Sequence, residues 1–177
     1  WDTVKTLAQV VPVDYYLPGC PPEAANIETA VNAIVTGQLP PPGSVIGAGT
    51  TVCQECKRVR QEKKIKKFYR TWEIVPDETT CLLEQGILCC GIATRAGCGA
   101  KCPQVNSPCI GCYGPPEGVL DQGAKMIGAL GSMWDIDPLV EGGEAKMPAL
   151  MAERVKQIPD PAGTFYKFSL PGSLYKG

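Results

Sequence analysis

The chain has 177 residues, 44% of them hydrophobic, and a formal net charge of −1. This length suits one domain or a domain with a fragment of another, and the near-neutral charge argues against a nucleic-acid-binding protein, which would carry a basic excess. No apolar run approaches the roughly 18 residues that a membrane-spanning helix needs. The sequence therefore predicts a globular protein with neither a nucleic-acid partner nor a membrane span.

The first 38 residues contain a predicted strand, a rigid turn and a helix. Residues 10–17 are rich in β-forming side chains and run into Pro-Gly-Cys-Pro-Pro at residues 18–22. Apolar residues then recur at helical spacing between residues 27 and 35, and Gly37 is placed to end the helix. Because this order is typical of an α/β unit, residues 1–38 are predicted to be the end of an α/β domain.

Residues 39–50 include Pro40-Pro41-Pro42-Gly43 and are predicted to form a linker without regular secondary structure. The next segment, residues 51–135, holds nine of the ten cysteines among glycines, prolines and short apolar stretches. We expect it to be loop-rich, partly helical and held by metal rather than by a large core. Helices are predicted at residues 119–133 and 145–158, and residues 136–177 form a helical and aromatic tail that packs on this subunit or on a partner. The predicted fold class is α+β with much irregular structure.

Ten cysteines and no histidine mean that any bound metal is held by sulfur. Eight of the cysteines separate by spacing into two sets of four, which is the number of thiolates that a cubane iron-sulfur cluster or a structural zinc ion requires. Irregular spacing and neighbouring glycines, which can turn N–H groups toward sulfur, favour iron-sulfur clusters, with zinc and disulfides as the alternatives. The first cysteine group is Cys53, Cys56, Cys81 and Cys89, and the second cysteine group is Cys98, Cys102, Cys109 and Cys112.

Two cysteines stand outside these groups. Cys90 follows Cys89 directly, and adjacent side chains rarely both reach one metal centre, so Cys90 is predicted to be a small buried hydrophobe. Cys20 lies in the rigid turn after the predicted strand, a position suited to presenting a ligand. A single cysteine cannot hold a cluster, so a functional Cys20 needs three partners from outside this sequence, and a structural thiol is the alternative.

Several segments resemble the small subunits of nickel-iron hydrogenases. Residues 13–22 are similar to the proximal-cluster motif that these subunits share with a related subunit of complex I. Residues 81–89, 94–103 and 108–115 resemble the cytoplasmic branch of the family, which includes methyl-viologen-reducing hydrogenases of methanogens and archaeal sulfhydrogenases. The resemblance runs from Val10 to Gly131 and is loose in the remaining residues.

The resemblance implies a role for each cysteine group. The first cysteine group would hold a distal 4Fe-4S cluster, although membrane-bound and periplasmic relatives have a histidine near the position of Cys53. The second group would hold a medial 4Fe-4S cluster, with Cys102 supplying a thiolate that three-iron relatives lack. Cys20 would be one of four ligands of a proximal 4Fe-4S cluster. Its other ligands belong to an N-terminal flavodoxin-like domain, most of which this chain is expected to lack by truncation.

The implied function is electron transfer in a cytoplasmic hydrogenase. Hydrogen would be split on a partner, the nickel-iron large subunit, and no residue of this chain would be catalytic. Electrons would pass to an iron-sulfur or flavin acceptor subunit near the distal cluster. An iron-sulfur subunit of another redox complex and a zinc-stapled interaction module are the alternatives.

The basic run is the one strong charge cluster of the sequence. It comprises Lys57, Arg58, Arg60, Lys63, Lys64, Lys66, Lys67 and Arg70. Such a run is either a solvated face or a docking patch for the acceptor.

Overall fold

The computed structural model describes residues 3–61, 64–135 and 147–174. In this part of the chain, short helices and loops predominate and there is little strand, which agrees with a mixed α+β class. The α-helices are α1 (Ala24–Val35), α2 (Val52–Glu55), α3 (Lys101–Gln104), α4 (Gln122–Met133), α5 (Met147–Val155) and α6 (Pro161–Phe165), and the strands are β1 (Tyr15–Tyr16) and β2 (Ser44–Val45). Single 3-10 turns lie at Leu7–Gln9, Cys90–Ala93 and Leu170–Gly172.

The two strands pair in parallel, with Tyr15 opposite Ser44 and Tyr16 opposite Val45. Two predictions are corrected here. The strand predicted over residues 10–17 is only two residues long, because Pro12 and Pro18 on either side have no N–H to donate. The linker predicted over residues 39–50 contains β2. This strand forms after the prolines, where N–H groups are again available, and the N–H of Ile46 donates to the carbonyl of Tyr16 at 2.8 Å.

Helix α1 forms as predicted, but it buries none of its side chains against the described residues. Ile27 and Val31, on its apolar face, are 45% and 49% exposed. Polar contacts attach its first turn to the rest of the chain. The N–H of Glu23 donates to Tyr113 Oη at 2.9 Å, and Asn26 Nδ2 donates to the carbonyl of Gly97, also at 2.9 Å.

The buried core surrounds the cysteine-rich segment. Helix α4 packs on the 3-10 turn Cys90–Ala93 and on α6, and α2 packs on the same turn. The largest fully buried side chains are Val52, Ile65, Leu82, Ile87, Thr94 and Met126. Ile65 and Tyr69 of the segment that carries the basic run join the core through isolated bridges to Trp134 and Ile87. The predicted metal-held segment therefore lies in an apolar core, to which Ile158, Phe165 and Tyr166 of the tail also contribute.

The predicted C-terminal helices are present with shorter bounds. Helix α4 begins at Gln122 rather than near residue 119, because Asp121 Oδ1 accepts from the N–H of Ala124 at 2.8 Å and caps the helix. The helix predicted over residues 145–158 is α5, and residues 136–146 lie outside the described chain. Phe165 and Tyr166 of the aromatic tail are buried. Within the described residues, no helix is long and apolar enough to cross a membrane.

Candidate metal centres

The first cysteine group gathers around the start of α2. Cys53 lies on α2 and Cys56 is its C-cap residue, one helical turn apart. A backbone hydrogen bond fixes the start of α2 to the segment that follows Cys90, since the N–H of Val52 donates to the carbonyl of Thr94 at 2.8 Å. Three thiols of the group line one cavity of about 250 Å³, together with the apolar side chains of Leu83, Ile92 and Met133. These thiols are Cys53, Cys81 and Cys89.

Burial makes Cys53 and Cys89 poor acids. Burial, and next the charge of Cys81, raises the pKa of Cys53 to about 11, while the nearby cation Arg60 opposes the shift. Burial raises the pKa of Cys89 to about 12, even though the N–H groups of Gly91 and Cys109 donate to its sulfur. The Cys109 N–H reaches Cys89 Sγ at 3.3 Å. Gathered thiolates in such a site need a bound cation to offset their mutual repulsion and lost hydration.

Gly91 leaves space between two of the sulfurs. A Cβ at this position would lie 3.4 Å from Cys53 Sγ and 3.8 Å from Cys89 Sγ. A sulfur-only donor set, apolar walls and backbone N–H groups directed at sulfur are the features by which proteins hold and tune iron-sulfur clusters. Cys53, Cys81 and Cys89 therefore fit such a cluster, and Cys56 is near enough for its charge to act on Cys53. In the described parts of the chain, no three Cys, Asp or Glu side chains meet at the spacing of a single bound ion.

Three members of the second cysteine group lie together, at α3 and the loops on either side of it. Burial, followed by the charges of Cys98, Cys102 and Cys20, raises the pKa of Cys112. Cys98 sits between Gly97 and Gly99, whose φ angles of +118° and +65° suit glycine. This tight backbone leaves the N–H groups of the two glycines directed to one side of the loop.

Glu55, next to Cys56, accepts both of these N–H groups. Its Oε1 accepts from Gly97 at 2.9 Å and its Oε2 from Gly99 at 3.0 Å. One carboxylate therefore joins the helix of the first group to the loop of the second. The spacing of the cysteines did not point to Glu55, although its position inside the Cys53 to Cys56 pair was a signal that could have done so.

The fourth member of the second group, Cys109, lies between the two groups. Burial, and next the charge of Cys89, raises the pKa of Cys109 to about 12, and Cys112 contributes less. The structure thus brings Cys109 nearer to the first group than its sequence spacing predicts.

Cys20 and Cys90 occupy different surroundings. Cys20 is exposed, and its charge acts on Cys112 of the second group. Cys90 is 6% exposed within the core, and burial, followed by the charge of Cys109, raises its pKa to about 12.

The basic run is only partly a surface feature. Lys57, Arg60, Lys66 and Lys67 are exposed, and Lys63 lies outside the described residues. Arg58, by contrast, is 8% exposed. The sequence prediction of a solvated face or docking patch is therefore wrong for Arg58, which is drawn inward by backbone acceptors from distant loops.

Comparison with known proteins identifies the relatives of this arrangement. No protein-family model matches the chain. The chain is 44% identical over 124 residues to the F420-non-reducing hydrogenase G chain of Methanothermus fervidus, covering 68% of this chain and 92% of that protein. The chain belongs to this family of F420-non-reducing hydrogenase subunits. The family agrees with the hydrogenase resemblance predicted from the cysteine motifs.

Another member and a more distant relative match different shares of the chain. The F420-non-reducing hydrogenase iron-sulfur subunit of Archaeoglobus profundus is 38% identical over 178 residues, which are 98% of this chain and 52% of that protein. The delta subunit of sulfhydrogenase 2 of Pyrococcus furiosus is 33% identical over 111 residues, 63% of this chain and 38% of that protein. The chain therefore spans about half the length of the Archaeoglobus subunit.

Proposed function

We propose that this chain is the cluster-carrying part of the small, electron-transferring subunit of a nickel-iron hydrogenase. The observation that carries the proposal is the convergence of Cys53, Cys81 and Cys89 on one cavity beside Gly91. Family membership supports it, since the Archaeoglobus relative is named an iron-sulfur subunit. In this proposal the chain conducts electrons and carries no catalytic residue.

Each cysteine group would hold one 4Fe-4S cluster. A bound cluster would supply a centre that gains and loses one electron. The chain's own residues would fix the thiolates, limit the access of water and direct N–H groups toward sulfur, as Gly91 and Cys109 do toward Cys89. The first group would be the distal site and the second group, including Cys109, the medial site.

Cys20 would contribute to a third, proximal site whose other ligands lie in a flavodoxin-like domain. Residues 1–38 would be the end of that domain, residues 39–50 a linker, residues 51–135 the iron-sulfur domain and residues 136–177 a tail that packs on it. The exposed apolar face of α1 and the parallel pairing of β1 with β2 are compatible with this assignment.

The positions of the groups support an order of electron flow. Cys20 acts electrostatically on the second group, through Cys112. Arg60 of the basic run acts on the first group, through Cys53. Electrons from hydrogen split on a nickel-iron large subunit would therefore pass Cys20, then the second group, then the first. They would leave to an iron-sulfur or flavin subunit docked near the exposed lysines, and the complex would be cytoplasmic.

Metal analysis of the anaerobically reconstituted chain tests the clusters. We expect about eight irons and about eight acid-labile sulfides per chain, because two four-iron clusters contain that number. Cys81→Ala should lose about half of the iron, since a cluster held by four thiolates would lose a ligand. The matched control Cys90→Ala should keep the iron content of the unaltered chain. Zinc without iron would instead identify a zinc-stapled module.

Association with a partner tests the hydrogenase assignment separately. The chain, expressed with the other proteins of its complex, should co-purify with a nickel-containing subunit. Iron-loaded chain that co-purifies with a redox subunit lacking nickel would contradict the hydrogenase role and leave the electron-transfer role intact.

A further inference from the structure

Arg58 is a buried cation between the two cysteine groups. It is 8% exposed, whereas Lys57 and Arg60 near it in the basic run are exposed. Burial of an arginine costs free energy unless its charge and its N–H groups find partners. The partners of Arg58 therefore decide what its charge can do.

Among the described residues, its hydrogen bonds all end on neutral oxygens. Nε donates to the carbonyl of Pro103 at 2.7 Å, and Nη1 donates to the carbonyls of Asp77 and Thr80 at 2.7 and 2.9 Å. Nη2 donates to the side-chain oxygen of Asn106. These acceptors engage four of the five N–H groups of the guanidinium but do not neutralise its positive charge.

The neighbouring carboxylate is engaged elsewhere. The backbone carbonyl of Asp77 accepts from Arg58, while its side-chain oxygens accept from the N–H and hydroxyl groups of Thr79 and Thr80. These neutral donors leave Asp77 ionised, but its side chain is exposed, so water screens its charge from the buried guanidinium.

The acceptors belong to segments that carry thiols of both groups. Pro103 follows Cys102 of the second group, Thr80 precedes Cys81 of the first, and Arg58 itself lies two residues after Cys56. One guanidinium therefore joins three ligand-bearing segments. The cation is therefore hydrogen-bonded to residues that directly adjoin Cys81 of the first group and Cys102 of the second.

We propose that Arg58, whose charge has no ion-pair partner among the described residues, is a shared positioning residue that raises the reduction potentials of both cluster sites. The inference rests on the proposed function. Added electron density on either site is stabilised by the nearby cation, so its removal should make both sites harder to reduce. With an assumed separation of about 12 Å and an effective dielectric constant of about 20, Coulomb's law predicts about a tenfold change in the reduction equilibrium. This is about 59 mV for a one-electron couple.

Two variants cancel the charge by different routes. Arg58→Gln removes the cation. Asn106→Asp keeps Arg58 and its hydrogen bond but sets a carboxylate against the guanidinium, and aspartate tolerates the left-handed backbone at this residue, where φ is +60°. Arg58→Lys retains the charge without the forked geometry. Lys125→Gln removes an exposed cation from α4 and is the matched control for net charge.

Redox titration followed by electron paramagnetic resonance of the reconstituted chain is the test. At the wild-type midpoint potentials, the ratio of oxidised to reduced cluster should rise about tenfold in Asn106→Asp and Arg58→Gln. It should change by less than about twofold in Arg58→Lys and Lys125→Gln, because a retained or solvent-screened charge leaves the potential nearly unchanged.

Wild-type midpoints in Asn106→Asp would overturn the inference, and this variant decides if Arg58→Gln does not retain iron. A shift in Arg58→Lys equal to that in Arg58→Gln would also overturn it, since geometry rather than charge would then be responsible. If the wild-type chain itself bound no iron, the proposed function would be contradicted, and this outcome is distinguishable because no midpoint potential could be measured.

Discussion

The Glu55 carboxylate offers a direct test of how the two cysteine groups are joined. Glu55→Gln keeps the shape of the side chain but replaces one oxygen with an amide nitrogen. The remaining oxygen can accept from either Gly97 or Gly99, which now donate at 2.9 and 3.0 Å. The other N–H would face a second donor.

The cost follows from the number and kind of hydrogen bonds lost. A hydrogen bond to a charged group contributes about 1.5–3 kcal/mol, and a neutral one roughly half of that. Because Gly99 is exposed to solvent, the lower end applies, and we expect Glu55→Gln to destabilise the loaded chain by about 2 kcal/mol. For a chain of this size, that corresponds to a fall of about 4–8 °C in melting temperature.

Thermal loss of the visible cluster absorption, recorded at one scan rate beside the far-ultraviolet circular dichroism, measures the effect. Glu28→Gln, on the exposed surface of α1, is the matched control for loss of a carboxylate. A Glu55→Gln chain that melts within about 1 °C of wild type, when a shift of several degrees is expected, would refute the bridging role. So would an equal fall in Glu28→Gln.

Two further predictions concern the packing and capping of α4. Gly123→Ala should lower the free energy of unfolding by about 1–3 kcal/mol, because its Cβ would lie 2.3–2.6 Å from the buried ring of Tyr166. In the same helix, a Cβ at Gly128 would meet nothing within 4 Å, so Gly128→Ala should raise the free energy of unfolding by about 0.5–1 kcal/mol. Thermal melts measure both effects. Equal effects of the two substitutions would contradict the packing. Although burial alone would raise the pKa of Asp121, hydrogen bonds from the N–H groups of Ala124 and Leu174 lower it, so the ionised carboxylate stabilises the fold above the unfolded pKa of about 3.9. Wild type should therefore melt above Asp121→Asn at pH 7 and lose this advantage as the pH falls through the lowered pKa, and an advantage that persists at pH 2 would show that charge is not its source.

Local patterns in the sequence predicted the helices well. The apolar spacing and flanking residues of α1 and α4 are properties of short segments, and both helices form close to the predicted bounds. Strands depend on a partner, which explains why β2 was missed among prolines and why β1 is shorter than expected.

In the site, too, residues related by local spacing were predicted, and residues brought together by long-range packing were not. Cysteine spacing led to the grouping of Cys53, Cys81 and Cys89, which the structure brings to one cavity. Arg58 could not be identified in this way, because an arginine in a basic run is ordinarily exposed and one of its acceptors, Pro103, is 45 residues away. The position of Cys109 beside Cys89 likewise depends on long-range packing.

The first turn of α1 makes separate polar contacts with residues next to three cysteines of the second group. Glu23 and Asn26 contact Gly97 beside Cys98, Lys101 beside Cys102, and Tyr113 beside Cys112. Cys20 comes shortly before this turn, and among the described residues α1 adds no buried apolar contact that would hold the turn in place. The gap between Cys20 and Cys112 would then be set by a few polar contacts, which salt and solvent can weaken. Loosening these contacts would move Cys20 relative to Cys112 without disturbing the buried core, to which α1 contributes no residue.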